Sequence, residues 1–469
     1  MGGLSKKAYQ FSNIKAKNDQ PILIVDGGAL LFKSDTIAAN QLPQAKITAR
    51  GIVRAYDLIG YDAVGINSRD LAGGLEFLQE TAGKSQFPWV SANLISKKDN
   101  KPLFSPHISL KLGAINVGIT GITDQLPAGS TILGKDYEIT EWRRVLPPVI
   151  EKLGAENHFI VLLTGLDDKE CREIAASYPS VKMIIQAKSF PANREPIRIS
   201  PDTILTRTGK QGKYVGVMDI KWHIGSTWNN PRNKNIISAK KSERDRLNKQ
   251  LARLKNRPEQ RVSSLNLRKR LQQVEEEINE LEGNYPTVSG VKIAESSFRN
   301  WFLSMERSMP DHSAVQKVVD EINHDLEALA GKNRPQNKAG GPSNRGFRGW
   351  RKCSKCHPNQ TGGWQKTRHA GSYLTLVEKK QHFNLECLSC HVTGFNRSDP
   401  ASALSLPSDL QMVGCEVCHG AGAQHIASPG GSKPIAVTEK ICRSCHTPDR
   451  DSDFNFERDR KKAHIIEQR

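Results

Sequence analysis

The sequence predicts an α/β chain that continues into a helical arm and ends in a domain with little regular structure. Three observations predict it. Over residues 20–228 short apolar runs alternate with amphipathic stretches, the signature of strands and helices taken in turn. A Lys-, Arg-, Glu- and Leu-rich segment follows, with apolar residues spaced four and three apart. Beyond residue 350 apolar periodicity fades, and the pattern C-x-x-C-H occurs four times. A length of 469 residues fits about three domains.

Taken in order, residues 1–20 are polar and are expected to be loose. Residues 21–25 (PILIV) form an apolar run that enters a turn at Asp26-Gly27-Gly28, a buried strand by composition. Residues 47–58 have helical spacing, 61–64 read as a strand and 73–78 as a helix. Further strands are expected at 89–94, 114–119, 159–163 and 181–185, with helices at 141–153 and 169–178. Cys171 lies in the second of these helices, where an inert half-buried thiol is expected. Residues 203–219 read as two strands joined by a Gly-rich turn.

These segments carry a resemblance. PILIVDGGALLF, GYDAVGINSRDLAGGLEFL, VGITGIT, HFIVLLTG, MIIQAKSF and QGKYVGVMDIKW resemble, in order, the conserved blocks of the metallophosphoesterase domain of the 5′-nucleotidase family, the last being its closing hairpin. The resemblance covers roughly residues 20–225 and implies a β-sandwich with flanking helices. In that family two metal ions held by Asp, His and Asn activate water against a phosphate ester. Position by position, this chain departs from that equipment. No D-x-H precedes Pro21, and the bridging Asp position is Ala29. Asn67 is kept, but the neighbouring His and Glu positions are Ser68 and Arg69. The histidine of the HFIVLLTG block is Gly165, and the two of the G-H-S-H block are Lys188 and Phe190. A dinuclear centre needs those ligands, so the expectation is a catalytically inactive scaffold over residues 20–228. A reduced site using Asp26, Asn67 and Asp70 is the alternative.

A polar junction leads into a helical hairpin or coiled-coil arm at 236–283. Its seam is Leu247, Leu251 and Leu254, then Leu267, Leu271, Val274, Ile278 and Leu281, with Pro258 as the break. The hairpin pairs with itself, or the arm makes a homodimer. Residues 308–331 form an amphipathic helix with Val315, Val318, Val319, Ile322, Leu326 and Leu329 on one stripe. His312 and His324 on it are expected at the surface. Residues 332–350 are rich in Gly, Pro, Asn and Arg and read as a linker. The last domain is 351–469.

Its four motifs are Cys353-Ser-Lys-Cys356-His357, Cys387-Leu-Ser-Cys390-His391, Cys415-Glu-Val-Cys418-His419 and Cys442-Arg-Ser-Cys445-His446. Two thiols three residues apart lie on one side of a helical turn and can each bond one porphyrin vinyl group. The His that follows can reach the iron. Zinc or a disulfide would account for the Cys pairs, but neither requires a His after each second Cys. Four c-type haems are therefore expected, with His357, His391, His419 and His446 as proximal ligands. Four further imidazoles, His369, His382, His425 and His464, match four sixth positions. If all ligate, every iron is six-coordinate, which favours electron carriage over catalysis.

The segments CSKCHPNQTGGWQKTRHAGSYLTL, CLSCHVTGF, VGCEVCHGAGAQH and CRSCHTPDRDSDFNFERDRKKAH resemble the cytochrome c-554 family of multihaem proteins over about residues 350–466. The resemblance implies His369, His425 and His464 as distal ligands; His382 has the least support of the four. Members of that family can leave one haem five-coordinate.

The formal net charge is +19. Haem propionates would offset part of it, and the rest would steer acidic redox partner proteins. No aromatic-interleaved basic motif points to nucleic acid, and no apolar stretch reaches the ~18 residues of a transmembrane segment. Residues 1–7 (MGGLSKK) lack the apolar core of a signal peptide. Haem attachment is normally completed outside the cytoplasmic membrane, so a removed leader or a truncated start is expected, with the protein periplasmic or extracellular. The functional expectation is a multihaem electron-transfer cytochrome on an inactive phosphoesterase-like scaffold. The alternatives are a haem oxidoreductase acting on a small nitrogen or sulfur oxyanion, and a phosphoesterase with an attached redox module.

Overall fold

The computed structural model describes residues 3–126, 136–187, 193–209, 212–228, 233–254, 261–282, 296–306, 308–332, 346–396, 400–429, 431–447, 450–451 and 453–463. The chain divides into two compact units: residues 6–35 with 59–310, and residues 1–5 and 36–58 with 311–469.

The first unit is built on two facing sheets. Strands β1 (Val25–Asp26), β2 (Ala63–Gly65) and β3 (Trp89–Val90) form a small parallel sheet. Strands β4 (Leu94–Ser96) and β7 (Tyr137–Ile139) pair antiparallel beside it. The larger sheet uses β5 (His107–Leu112), β6 (Ile115–Ile122), β8 (Phe159–Thr164), β9 (Val181–Gln186), β10 (Arg194–Arg198) and β11 (Ile204–Arg207) in the order β10-β11-β9-β8-β6-β5. Its four central strands are parallel and its two edge strands antiparallel. Every residue of β8 is buried, which explains its unbroken apolar run: both faces of the strand are covered. On one face Val117, Ile119, Val161 and Leu163 meet Ala63 and Val90 of the small sheet. On the other, Ile160, Leu162 and Ile184 meet Leu146, Ile150 and Leu153 of helix α4 (Trp142–Glu156) and Ile174 of α5 (Asp168–Ser177). The sheets approach closely at Gly121, where an added Cβ would stand 2.1 Å from the Val90 carbonyl oxygen. The result is a sandwich with flanking helices in an α/β unit.

Two sequence expectations are corrected here. Residues 1–20 are not loose: α1 runs Leu4–Ala16. Ala8 is buried and Phe11 meets Tyr61 edge-on at 5.8 Å, so a short apolar stripe anchors the helix. The two strands within 203–219 do not pair with each other. β11 joins the large sheet, whereas β12 (Tyr214–Lys221) pairs antiparallel with β13 (Ser297–Ser304), from Tyr214↔Ser304 to Lys221↔Ser297. The arm therefore lies in the chain between the two strands of a ribbon. Trp228 anchors the ribbon's base, buried among Phe159, Trp222 and Phe298, with its indole N–H donating to the Lys182 carbonyl at 2.9 Å.

In the arm, α6 (Asn233–Leu254) and α7 (Arg261–Glu282) run antiparallel. Leu247, Val274 and Ile278 are buried with Leu267 and Leu271 against them. Lys240 pairs with Glu277 at 2.6 Å and Arg270 with Glu243 at 2.7 Å, which fixes the register. The side chains of Leu254 and Leu281 lie outside the described residues.

The second unit contains most of α2 (Leu42–Ile59) and all of α8 (Ser313–Lys332). Ile322 of α8 sits over Gly51 of α2, where an added Cβ would be 2.5 Å from it. Val318, Leu326 and Ala330 pack with Ile47 and Phe383. The rest is short helices: α9 (Trp350–Cys353), α10 (Pro358–Gln365), α11 (Ser372–Glu378), α12 (Leu385–His391), α13 (Cys415–His419), α14 (Ala423–Ala427), α15 (Glu439–Arg443) and α16 (Phe456–Asp459). A small apolar core of Leu376, Leu385, Leu388, Val392, Leu406 and Leu410 joins α11 and α12 to the segment that follows. Among the described residues no helix is long and apolar enough to cross a membrane.

Candidate haem-binding site

Each C-x-x-C-H motif sits on one turn of helix. α12 and α13 contain the second and third motifs, while the first and fourth begin at the ends of α9 and α15. The His357 N–H donates to the Cys353 carbonyl at 2.9 Å, and the His446 N–H to that of Cys442 at 2.9 Å. Such a turn lines up two thiols and an imidazole along one edge. The Asn384 side chain caps α12, accepting from the Glu386 N–H at 3.0 Å.

The imidazoles are oriented by acceptors. His391 Nδ1 donates to the Ser372 carbonyl at 2.7 Å, His425 Nδ1 to the Ser432 carbonyl at 2.8 Å and His446 Nδ1 to the Asp451 carboxylate at 2.7 Å. In each case the bond leaves Nε2 as the lone-pair nitrogen, the arrangement of a metal-ligating His with its supporting acceptor. Phe454 stacks on His446 at 4.7 Å.

Two of the predicted distal residues come together with motif histidines. The rings of His357 and His425 are 6.1 Å apart, and those of His369 and His446 are 6.0 Å apart. Two imidazoles sharing one metal, with bonds of about 2.0–2.1 Å and about 1 Å from nitrogen to ring centre, would be about 6 Å apart. His382 lies instead against Tyr373 and Phe383, with its Nδ1 buried and without a hydrogen-bond partner. His464 lies outside the described residues. The helical turns, the tautomers and the ring spacing all fit haem held through these motifs.

The motifs also meet one another. Cys353 lies within interaction range of Cys415, and Cys390 of Cys445, so the first motif neighbours the third and the second neighbours the fourth. The neighbouring Cys445, then the Ser389 hydroxyl and nearby positive charge, pull the Cys390 thiol down against burial. Burial, followed by the charges of Cys442 and Cys415, pushes Cys418 up to about 11.

In the other unit, the family's metal positions are occupied by internal bonds. Asp70 is fully buried and accepts from the backbone N–H groups of Ala29 (2.9 Å), Leu31 (2.8 Å) and Asn67 (3.0 Å). Burial pushes it up to about 6 against those three donors. The Asn67 amide donates to the Ala187 carbonyl at 3.0 Å, and the Ser68 N–H donates to Asp124 at 2.8 Å. Arg69 pairs with Asp35 at 3.3 Å. A Cβ on Gly165 would fall 2.1 Å from the Asn67 amide nitrogen and 2.8 Å from the Asp124 carboxyl group. Lys7 of α1 is buried beside Tyr61, and the Asp26 charge helps keep it protonated. Among the described residues no group of three or more His, Cys, Asp or Glu is placed to hold a metal ion. Lys188 and Phe190 lie outside the described residues. The residues present do not fit the two-metal centre. Sequence reading missed Lys7, Asp35 and Asp124, because their roles come from tertiary approach and none belongs to a motif.

Residues 352–420 match the family model described as cytochrome c554 and c-prime. The match takes in the first three motifs; the fourth lies beyond it. Cytochrome c-554 of Nitrosomonas europaea is 36% identical over 91 residues, 16% of this chain and 39% of that protein. Protein UshA of Salmonella pullorum is 24% identical over 233 residues, 43% of this chain and 42% of that protein. The chain thus spans less than half the length of these curated relatives. A solved structure titled sulfate thiohydrolase SoxB, from Thermus thermophilus, aligns at 14% identity and a TM-score of 0.47, covering 70% of this chain and 47% of that one. Residues 352–420 are thus similar to the cytochrome c554 family, which implies c-type haem as cofactor, and the N-terminal unit is similar to nucleotidase-type phosphoesterases.

Proposed function

We propose that this chain transfers electrons through four covalently bound c-type haems, and that its N-terminal unit is a catalytically inactive phosphoesterase-like scaffold. The supporting observation is the pairing of motif and non-motif imidazoles, 6.1 Å apart for His357 and His425 and 6.0 Å apart for His369 and His446. The cysteine pairs Cys353/Cys356, Cys387/Cys390, Cys415/Cys418 and Cys442/Cys445 would hold the porphyrins. His357, His391, His419 and His446 would be the proximal ligands, with His369, His425, His464 and His382 on the distal sides. A bound c-type haem supplies a reversible one-electron Fe(III)/Fe(II) change.

The chain's own residues do the rest. Ser372, Ser432 and Asp451 fix the orientation of three imidazoles. The contact of Cys353 with Cys415, and of Cys390 with Cys445, sets neighbouring attachment sites close together, as short-range electron transfer requires. Inactivity of the scaffold is supported by the internal bonds that take up Asn67, Asp70 and Asp124. The net charge of +19 supports acidic redox partner proteins. Haem attachment outside the cytoplasmic membrane supports a periplasmic or extracellular location. The arm, with its internal ion pairs, supports a self-paired hairpin rather than a dimer contact.

The expected spectrum of the anaerobically reduced protein is split and six-coordinate low-spin, with ferric EPR dominated by low-spin signals. A high-spin ferric component amounting to one iron in four would move the reading towards an oxidoreductase with one open haem.

A further inference from the structure

Glu416 lies between the two cysteines of the third motif, yet it points inward and is only 5% exposed. One carboxylate oxygen accepts from the N–H groups of Arg348 (2.9 Å) and Gly422 (2.7 Å). The other accepts from Arg348 (3.0 Å) and Gly349 (2.8 Å). Gly349 holds φ +80 and is also crowded by Asp409, 2.3 Å from where a Cβ would stand, so no side chain fits there. It begins α9, which ends at Cys353. Glu416 thus ties the helix of the third motif to the helix that presents the first.

An anchor alone needs hydrogen-bond acceptors, and a neutral amide oxygen supplies some of them. What a glutamate adds is charge, costly to bury and satisfied here by three aligned N–H groups. That charge reaches both attachment sites. Glu416 adjoins Cys415 in the chain, and it accepts from the N–H of Gly349, the residue that begins the helix ending at Cys353. In a low-dielectric interior a fixed negative charge favours the ferric over the ferrous state and lowers a reduction potential.

We infer that Glu416 is a positioning residue whose buried charge holds down the reduction potentials of the two haems attached through the first and third motifs. The inference rests on haem attachment at these motifs. It is tested in the full-length holoprotein with Glu416→Gln and Glu416→Asp, counting haems by intact mass and titrating them by spectroelectrochemistry. Glu416→Gln is expected to keep all four haems and to move two of the four midpoints positive, while Glu416→Asp, which retains the charge, stays at wild-type values. Unchanged midpoints in a fully loaded Glu416→Gln protein would overturn the inference. Should Glu416→Gln lose haem, a fully loaded Glu416→Asp with wild-type midpoints supports it and one with shifted midpoints contradicts it. Loss of haem from both variants would reduce Glu416 to a structural anchor and overturn its electrostatic role. A wild-type protein without bound haem is a different outcome: it ends the cytochrome reading itself.

Discussion

At Gly165, where the family's histidine would stand, any side chain enters space held by the Asn67 amide and the Asp124 carboxylate. Gly165→His therefore does not rebuild a metal site. It is expected to overpack the interior, lowering stability by about 1–3 kcal/mol, and to give no Mn²⁺-dependent hydrolysis of nitrophenyl phosphate. Urea unfolding and the phosphatase assay check this; a stable Gly165→His protein that hydrolyses the ester would show that the ligand positions are still available. At this scale the C-x-x-C-H motifs were legible in the sequence, because the spacing of Cys353, Cys356 and His357 is itself the signal. Glu416 was visible inside its motif, but its burial was not, since its three donors come from segments at 348–349 and 422. Lys7 was hidden for the same reason.

Among the elements, those buried on both faces were the easiest to read. β8 is a continuous apolar run, buried throughout, and it falls where that run is. α1 was missed because its apolar stripe spans barely three turns in a polar segment. β13 was missed because its partner, β12, is separated from it by the whole arm, and strand pairing across such an insertion leaves no local turn signal. The arm itself followed from its apolar spacing, with Leu247, Val274 and Ile278 in the seam. Its stability rests on that seam, since two helices of this length are marginal alone. Val274 is fully buried, so Val274→Asp places an unpaired charge in the seam. The expected result is loss of the arm's helicity by circular dichroism and early protease cleavage within 233–282, with haem content unchanged. Retention of full helicity would contradict the packing described here.

For the whole molecule, two units with different chemistry share one chain. One has a phosphoesterase-like sandwich in which Asn67, Asp70 and Asp124 make internal hydrogen bonds. The other has four C-x-x-C-H turns, which neighbour one another in two pairs. Composition made the basic charge and the number of motifs plain, but not that motif one neighbours motif three and motif two neighbours motif four, an arrangement set by the loops between them. The partnership of His357 with His425, and of His369 with His446, was likewise invisible in a list of spare histidines. The most direct test is the intact mass of the purified, exported protein under denaturing conditions, where only covalent bonds survive. The account predicts the polypeptide plus four haem groups; a mass equal to the bare polypeptide, or one carrying fewer than four, would contradict it.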